Sequence, residues 1–248
     1  WYETNKIALK LKAEVTAFDP KAKTVTLADG GSLPYDKLLL ATGAEPVKLP
    51  VPGADLPHVH VLRSFDDSRR IVAAAKDAKL AVVIGASFIG LEVAASLRAR
   101  ELEVHVVAPE KRRLEKVFGP ELGDFVKRLN EEHGVVFHLE DTATAIAAKQ
   151  VTLKSGKTLP ADLVVVGVGV RPRLALAEKA GLAIDKGVRV DQYLMTSAPD
   201  VYAAGDIARW PDAYTGAQIR VEHWVVAERQ GQTAALNMLG EKTPHRAV

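Results

Sequence analysis

The chain of 248 residues contains no cysteine. That excludes disulfide staples, cysteine-ligated zinc, iron–sulfur ligation by this chain and a paired-cysteine redox relay. It also accords with a reducing compartment such as the cytoplasm. No apolar run approaches the ~20 residues that a bilayer crossing needs. The two most apolar stretches, 80–91 and 163–170, are short and punctuated by glycine. Glycine and proline stand at 18 and 13, too few for a collagen-like or low-complexity chain. Nor is disorder compatible with a hydrophobic content of 48%. Charge of one sign is missing too: 33 basic and 31 acidic residues leave a net charge of +2. The richest basic run, Lys111, Arg112 and Arg113, lies between Glu110 and Glu115. Without a concentrated basic face, nucleic-acid binding is excluded. The expectation is a soluble cytoplasmic protein, off the membrane, of one large or two small domains.

What is present is a repeat. Val25-Thr26-Leu27-Ala28-Asp29-Gly30 aligns with Val151-Thr152-Leu153-Lys154-Ser155-Gly156. Without a gap, Leu33-Pro34-Tyr35-Asp36 then aligns with Leu159-Pro160-Ala161-Asp162. Both copies continue into an apolar run, a glycine (Gly43, Gly169) and a proline (Pro46, Pro172). Each reads as a hairpin strand, a turn, then a buried strand with a Gly-Pro exit. Agreement at one constant offset points to duplication. The second copy carries an upstream element, 80–90, whose counterpart in the first copy falls before residue 1. Since the chain also opens on Trp-Tyr-Glu rather than Met, it reads as a fragment of a longer protein.

That upstream element is a dinucleotide fingerprint. Leu80–Ile84 is a strand without a polar residue, and 91–100 has helical apolar spacing at Leu91, Val93, Ala94 and Leu97. Between them lies Gly85-x-Ser87-x-x-Gly90. The first glycine permits the tight turn and the last permits close helix–strand packing. Serine replaces the middle glycine and offers a hydroxyl to the pyrophosphate. The helix N-terminus adds free N–H groups and positive potential. A second strand, 103–107, follows, and Glu110 stands near the position where an acid binds the adenosine ribose. Glu110 favours NAD(H). Lys111, Arg112 and Arg113 leave NADP(H) open as the lesser alternative, through a 2′-phosphate.

A third passage, Val201-Tyr202-Ala203-Ala204-Gly205-Asp206, is a short strand entering a turn. A carboxylate there can accept hydrogen bonds from a polyol, beside N–H groups that can hold phosphate. A segment from Trp224 to Leu239, ended by Gly240, has the composition of a helix. His58 and His60 read as exposed loop histidines, His105 as a strand residue, and His133 beside Gly134 as a helix cap. No spacing of His, Asp and Glu resembles a metal site.

Taken in order, Ala41-Thr42-Gly43, Gly85 to Glu92, Gly169-Val170-Arg171-Pro172 and Ala203-Ala204-Gly205-Asp206 resemble the FAD-dependent pyridine nucleotide-disulfide oxidoreductases. Val221-Glu222-His223-Trp224 and Ala108-Pro109-Glu110-Lys111 are similar to the ferredoxin reductase and apoptosis-inducing-factor branch. The resemblance runs from about residue 2 to Gly240 and lacks the family's first FAD fingerprint and its C-terminal interface domain. It implies an α/β fold of two Rossmann-like FAD- and NAD(P)-binding domains, each a central parallel sheet with helices and an antiparallel β-meander, the first incomplete. The domains are expected at 1–65 and 171–248 for FAD and 66–170 for NAD(P). By the same resemblance, Thr42, Gly43, Gly205 and Asp206 bind FAD, Asp206 through the ribityl chain. Gly85, Ser87, Phe88, Ile89, Gly90, Glu92, Glu110 and Gly169 bind NAD. Glu92 flanks the nicotinamide ribose, and Gly169 lines the nicotinamide pocket. Glu222, His223 and Trp224 lie at the reacting rings, where the helix dipole stabilises negative charge on the flavin. The implied activity is hydride transfer from NAD(P)H to FAD and onward electron transfer to a ferredoxin or Rieske protein. The alternatives are a redox sensor resembling apoptosis-inducing factor or, for the fragment itself, an inactive NAD-binding module.

Overall fold

The computed structural model describes residues 1–111 and 115–246. The chain divides into two compact units, one built from 1–44 with 172–248 and the other from 45–171.

The second unit is organised around Leu80–Ile84, an all-apolar strand with four of its five residues buried. It is the middle strand of a five-stranded parallel sheet, in the order Val59–Val61, Leu163–Val166, Leu80–Ile84, Glu103–Ala108, Val135–Leu139. Alternate side chains point to opposite faces of such a sheet, and here the two faces have different covers. Val83, Val106 and Val165 pack with Ile71, Leu91, Ala94 and Leu97, which belong to the helices Phe65–Ala75 and Phe88–Arg98. Val82, Val107 and Val164 pack with Ile146, Val151, Leu153 and Leu159. Those four come from an antiparallel meander, Ala143–Ala147, Gln150–Leu153 and Thr158–Pro160. The result is three layers, with the inner strands Leu163–Val166 and Leu80–Ile84 buried on both faces and the edge strands partly exposed.

The first unit repeats part of this plan. Its meander is Val15–Asp19, Thr24–Leu27 and Ser32–Pro34. Both meanders carry a register shift at the start of the first strand, between Val15 and Ala17 and between Ala143 and Ala145. Strand Leu38–Leu40, the counterpart of Leu163–Val166, pairs in parallel with Val201–Ala203. Around them Phe18, Val188, Leu194, Ile207, Trp210, Val226 and Ala234 form the core, the last two from the helix Trp224–Met238. The duplication expected from the sequence is thus visible strand by strand.

Three expectations need correction. The first boundary falls at 44/45 rather than 65/66, because 45–65 packs on the second unit. Leu49, Val51, Leu56 and Val59 join its core, and Val59–Val61 becomes the edge strand of its sheet. For the same reason His58 and His60 are not exposed loop residues. His60 lies on that strand, both are half-buried, and both Nε2 atoms are buried. Pro52, Gly53 and Pro57 just upstream masked a Val-His-Val strand. The helix expected from residue 91 begins instead at Phe88, where Ser87 caps it.

The chain passes between the units through Ala44–Pro46 and Val170–Pro172, repeat counterparts that pair with each other. The hydrogen bonds there are reciprocal. Val47 N–H donates to Gly169 O at 3.0 Å, and its counterpart Arg173 N–H donates to Gly43 O at 2.9 Å. The counterparts Glu45 and Arg171 form an ion pair at 2.6 Å.

Candidate functional site

In the second unit the fingerprint turn is built on backbone contact. Gly85 sits at φ +102°, and a Cβ there would lie 2.4 Å from Gly167 O. A Cβ on Gly90 would lie 2.1 Å from Gly85 O. Neither clash can be relieved by moving a side chain, so both glycines are obligatory for the strand–turn–helix packing. Ser87 Oγ donates to Gly167 O at 2.9 Å and accepts from Gly90 N–H at 3.4 Å. Its proton is therefore committed to the protein rather than held for a phosphate, which changes the part expected of it. Gly167 is the residue that sequence reasoning missed. The only sign of it was a small residue closing the run Leu163–Val166.

The remaining members of this group surround that turn. Ile89 packs half-buried against the helix-side core, while Phe88 and Glu92 are exposed on the first turns of the helix. Glu110 is exposed just beyond the strand Glu103–Ala108, and its carbonyl accepts from Glu140 N–H. Gly169 is exposed, with open space where a side chain would project. Arg112 and Arg113, on which an NADP preference would depend, lie outside the described residues.

In the first unit four separate segments converge. Gly205, at φ +77°, opens the short 3-10 turn Gly205–Ile207. Its N–H donates to Gln230 Oε1 at 2.7 Å. Asp206 is half-buried on the same turn. Arg220 Nη1 donates both to Asp206 O, at 2.9 Å, and to Glu222 Oε1, at 2.6 Å. One guanidinium thereby ties the Gly205–Asp206 turn to the segment that starts the last helix. His223 is the N-cap of that helix, its Nδ1 accepting from Val225 N–H at 3.2 Å, which places the proton on Nε2. Trp224, the first helical residue, is 73% exposed, and its ring stacks at 26° on the imidazole. Thr42 Oγ1 donates to Arg173 O at 2.8 Å, and Gly43 O accepts from Arg173 N–H. Neither the bond of Arg220 to Asp206, 14 positions away, nor that of Gln230 to Gly205, 25 positions away, had a local signal.

Nearby electrostatics stabilise the scaffold. Asp200 bonds Lys23 at 2.5 Å and also Lys37. Hydrogen bonds from these two ammonium groups hold its carboxyl at about 2. Among the described residues no group of three His, Asp or Glu side chains is arranged to hold a metal, and no helix is long and apolar enough to cross a membrane.

Residues 2–231 match the pyridine nucleotide-disulphide oxidoreductase family. The chain belongs to it. Within the family, the chain is 37% identical over 244 residues to the ferredoxin–NAD(+) reductase component of an anthranilate 1,2-dioxygenase system from Burkholderia cepacia, covering 97% of this chain and 60% of that protein. To rhodocoxin reductase from Rhodococcus erythropolis it is 36% identical over 253 residues, covering 100% and 59%. A crystal structure of a ferredoxin reductase from Rhodopseudomonas palustris superposes with a TM-score of 0.94 at 39% identity, covering 98% of this chain and 61% of that one. The chain thus spans about three fifths of the length of these relatives.

Proposed function

We propose that this chain forms the dinucleotide-handling part of an FAD-dependent NADH oxidoreductase that passes electrons to a small ferredoxin- or Rieske-type protein. The observation that carries the reading is Arg220, which joins Asp206 and Glu222. These are the two segments that a flavin site needs together, one for the ribityl chain and one for the ring system. A small electron-transfer partner follows from the ferredoxin reductases among the relatives. The cysteine-free, interleaved-charge sequence accords with work in the cytoplasm.

The residues present fit both dinucleotides. The glycine-packed turn at Gly85–Gly90 leads into the N-terminus of the helix Phe88–Arg98, where a pyrophosphate would gain dipole stabilisation. Glu110 is an acceptor for adenosine ribose hydroxyls, which a 2′-phosphate would repel, so NAD(H) is favoured over NADP(H). Glu92 would flank the nicotinamide ribose, and the open space at Gly169 would admit the nicotinamide. In the other unit Asp206 would accept from the ribityl hydroxyls, and Thr42 and Gly43 would border the dinucleotide. When bound, these cofactors supply two-electron hydride chemistry and its conversion to single-electron transfer. The chain's task is orientation and electrostatics. Glu222 is held by Arg220, the His223 imidazole is fixed by its cap, and Trp224 presents an exposed flat surface at the positive end of a helix dipole.

The test is the visible absorption spectrum of the purified chain with added FAD, followed by anaerobic NADH. Uptake of flavin and bleaching by NADH, faster than by NADPH, are the expected results. A chain that binds FAD but is not bleached by either nucleotide would sink the reductase reading.

A further inference from the structure

Gln230 lies in the middle of the helix Trp224–Met238 and is fully buried. Its neighbours one turn away on either side, Val226 and Ala234, are buried core residues. A glutamine is an expensive choice there, because each of its polar atoms must find a partner or stay desolvated. One does: Oε1 accepts from Gly205 N–H at 2.7 Å. That bond fixes which way the amide is turned, since an Nε2 in the same place would face another donor. Nε2 is also buried, and has no partner among the described residues. Ala227, three residues earlier, sits 3.4 Å from where a Gly205 Cβ would stand. This helix face therefore clasps the turn that carries Asp206, with one donor left over.

We propose that Gln230 is a positioning residue of the FAD site: its carbonyl holds the Gly205 peptide, and its amide donates to an acceptor oxygen that arrives with the bound dinucleotide. The inference rests on the flavin reading above and adds to it a second polar anchor drawn from a helix interior. The chemistry required of the ligand is an oxygen acceptor, a carbonyl, hydroxyl or phosphate oxygen.

The two halves of the amide can be separated. Q230E keeps the volume and an oxygen for Gly205 N–H but removes the donor, whereas Q230M keeps the approximate volume and removes both. Hydrogen exchange of the peptide containing Gly205 reads the first half, and FAD affinity by flavin fluorescence reads the second. Q230E is expected to leave Gly205 as protected as in the wild type while weakening FAD by tenfold or more, about 1.4 kcal/mol. Q230M is expected to lose both. If Q230E binds FAD within twofold of the wild type, or if affinity merely follows Gly205 protection, Gln230 is only a structural tie and the proposal is wrong. A wild-type chain that takes up no FAD overturns the flavin reading for this chain, and the inference with it.

Discussion

The Ser87 hydroxyl serves the second unit twice, capping the helix Phe88–Arg98 and bonding Gly167 O. Losing a cap costs roughly 1 kcal/mol, and orphaning a buried carbonyl adds to it. S87A is therefore expected to lose about 1–2 kcal/mol in urea unfolding, and a variant as stable as the wild type would contradict the arrangement. Titration acts at the same scale. Burial lowers the pKa of His60 and of His138 below 6.5 in the folded chain. The unfolded chain then takes up protons that the folded chain refuses, so stability should fall as pH drops below about 6.5. H60Q/H138Q should flatten that slope between pH 7 and pH 5, and an unchanged slope would remove these residues from the account. Asp200 acts in the same direction at lower pH: its contribution is complete above 3.8 and disappears as pH falls through about 2. Much of this was legible, since the glycines, Ser87 and Asp206 stand in fixed patterns with local causes. Gly167 and Gln230 were not, because their meaning lies in a contact made by folding.

At the scale of elements, the helix Trp224–Met238 shows how far local signals reach. Its start at Trp224 and its stop at Gly240 were both visible from sequence, because caps are short-range devices. The residue that ties its start to Asp206 was not, since Arg220 acts across a loop and a turn. Removing that guanidinium should act on the site more than on the fold. R220M is expected to weaken FAD binding while leaving the melting of the second unit unchanged, and equal effects on both would argue against it. Trp224 supplies a complementary case. Being mostly exposed, it contributes little packing, so W224A should change stability by less than about 0.5 kcal/mol. The same variant should slow flavin bleaching by NADH at least severalfold, and wild-type rates would remove Trp224 from the site. The Val-His-Val edge strand shows the opposite failure. Three residues are too few for alternation to outweigh the prolines beside them, and only pairing with Leu163–Val166 makes a strand of them.

At the scale of the whole molecule, the repeat announced duplication, and both meanders and the paired crossing strands realise it. The domain boundary was less legible, because 45–58 has no strong periodicity and its side is decided by where Leu49, Val51 and Leu56 are buried. Every strand and helix of the second unit comes from one continuous stretch of chain. A fragment spanning 45–171 should accordingly unfold cooperatively and bind NADH by itself, as calorimetry with and without the nucleotide would show. A fragment without a cooperative transition would mean that the unit depends on the rest of the chain.

The reciprocal bonds around Glu45 and Arg171 have one more consequence. The two ends of the second unit lie side by side, so the first unit sees that whole stretch as a loop whose feet are already joined. Such a stretch is a cassette. Exchanging it for the equivalent stretch of another family member is expected to leave the chain ends that hold it where they are.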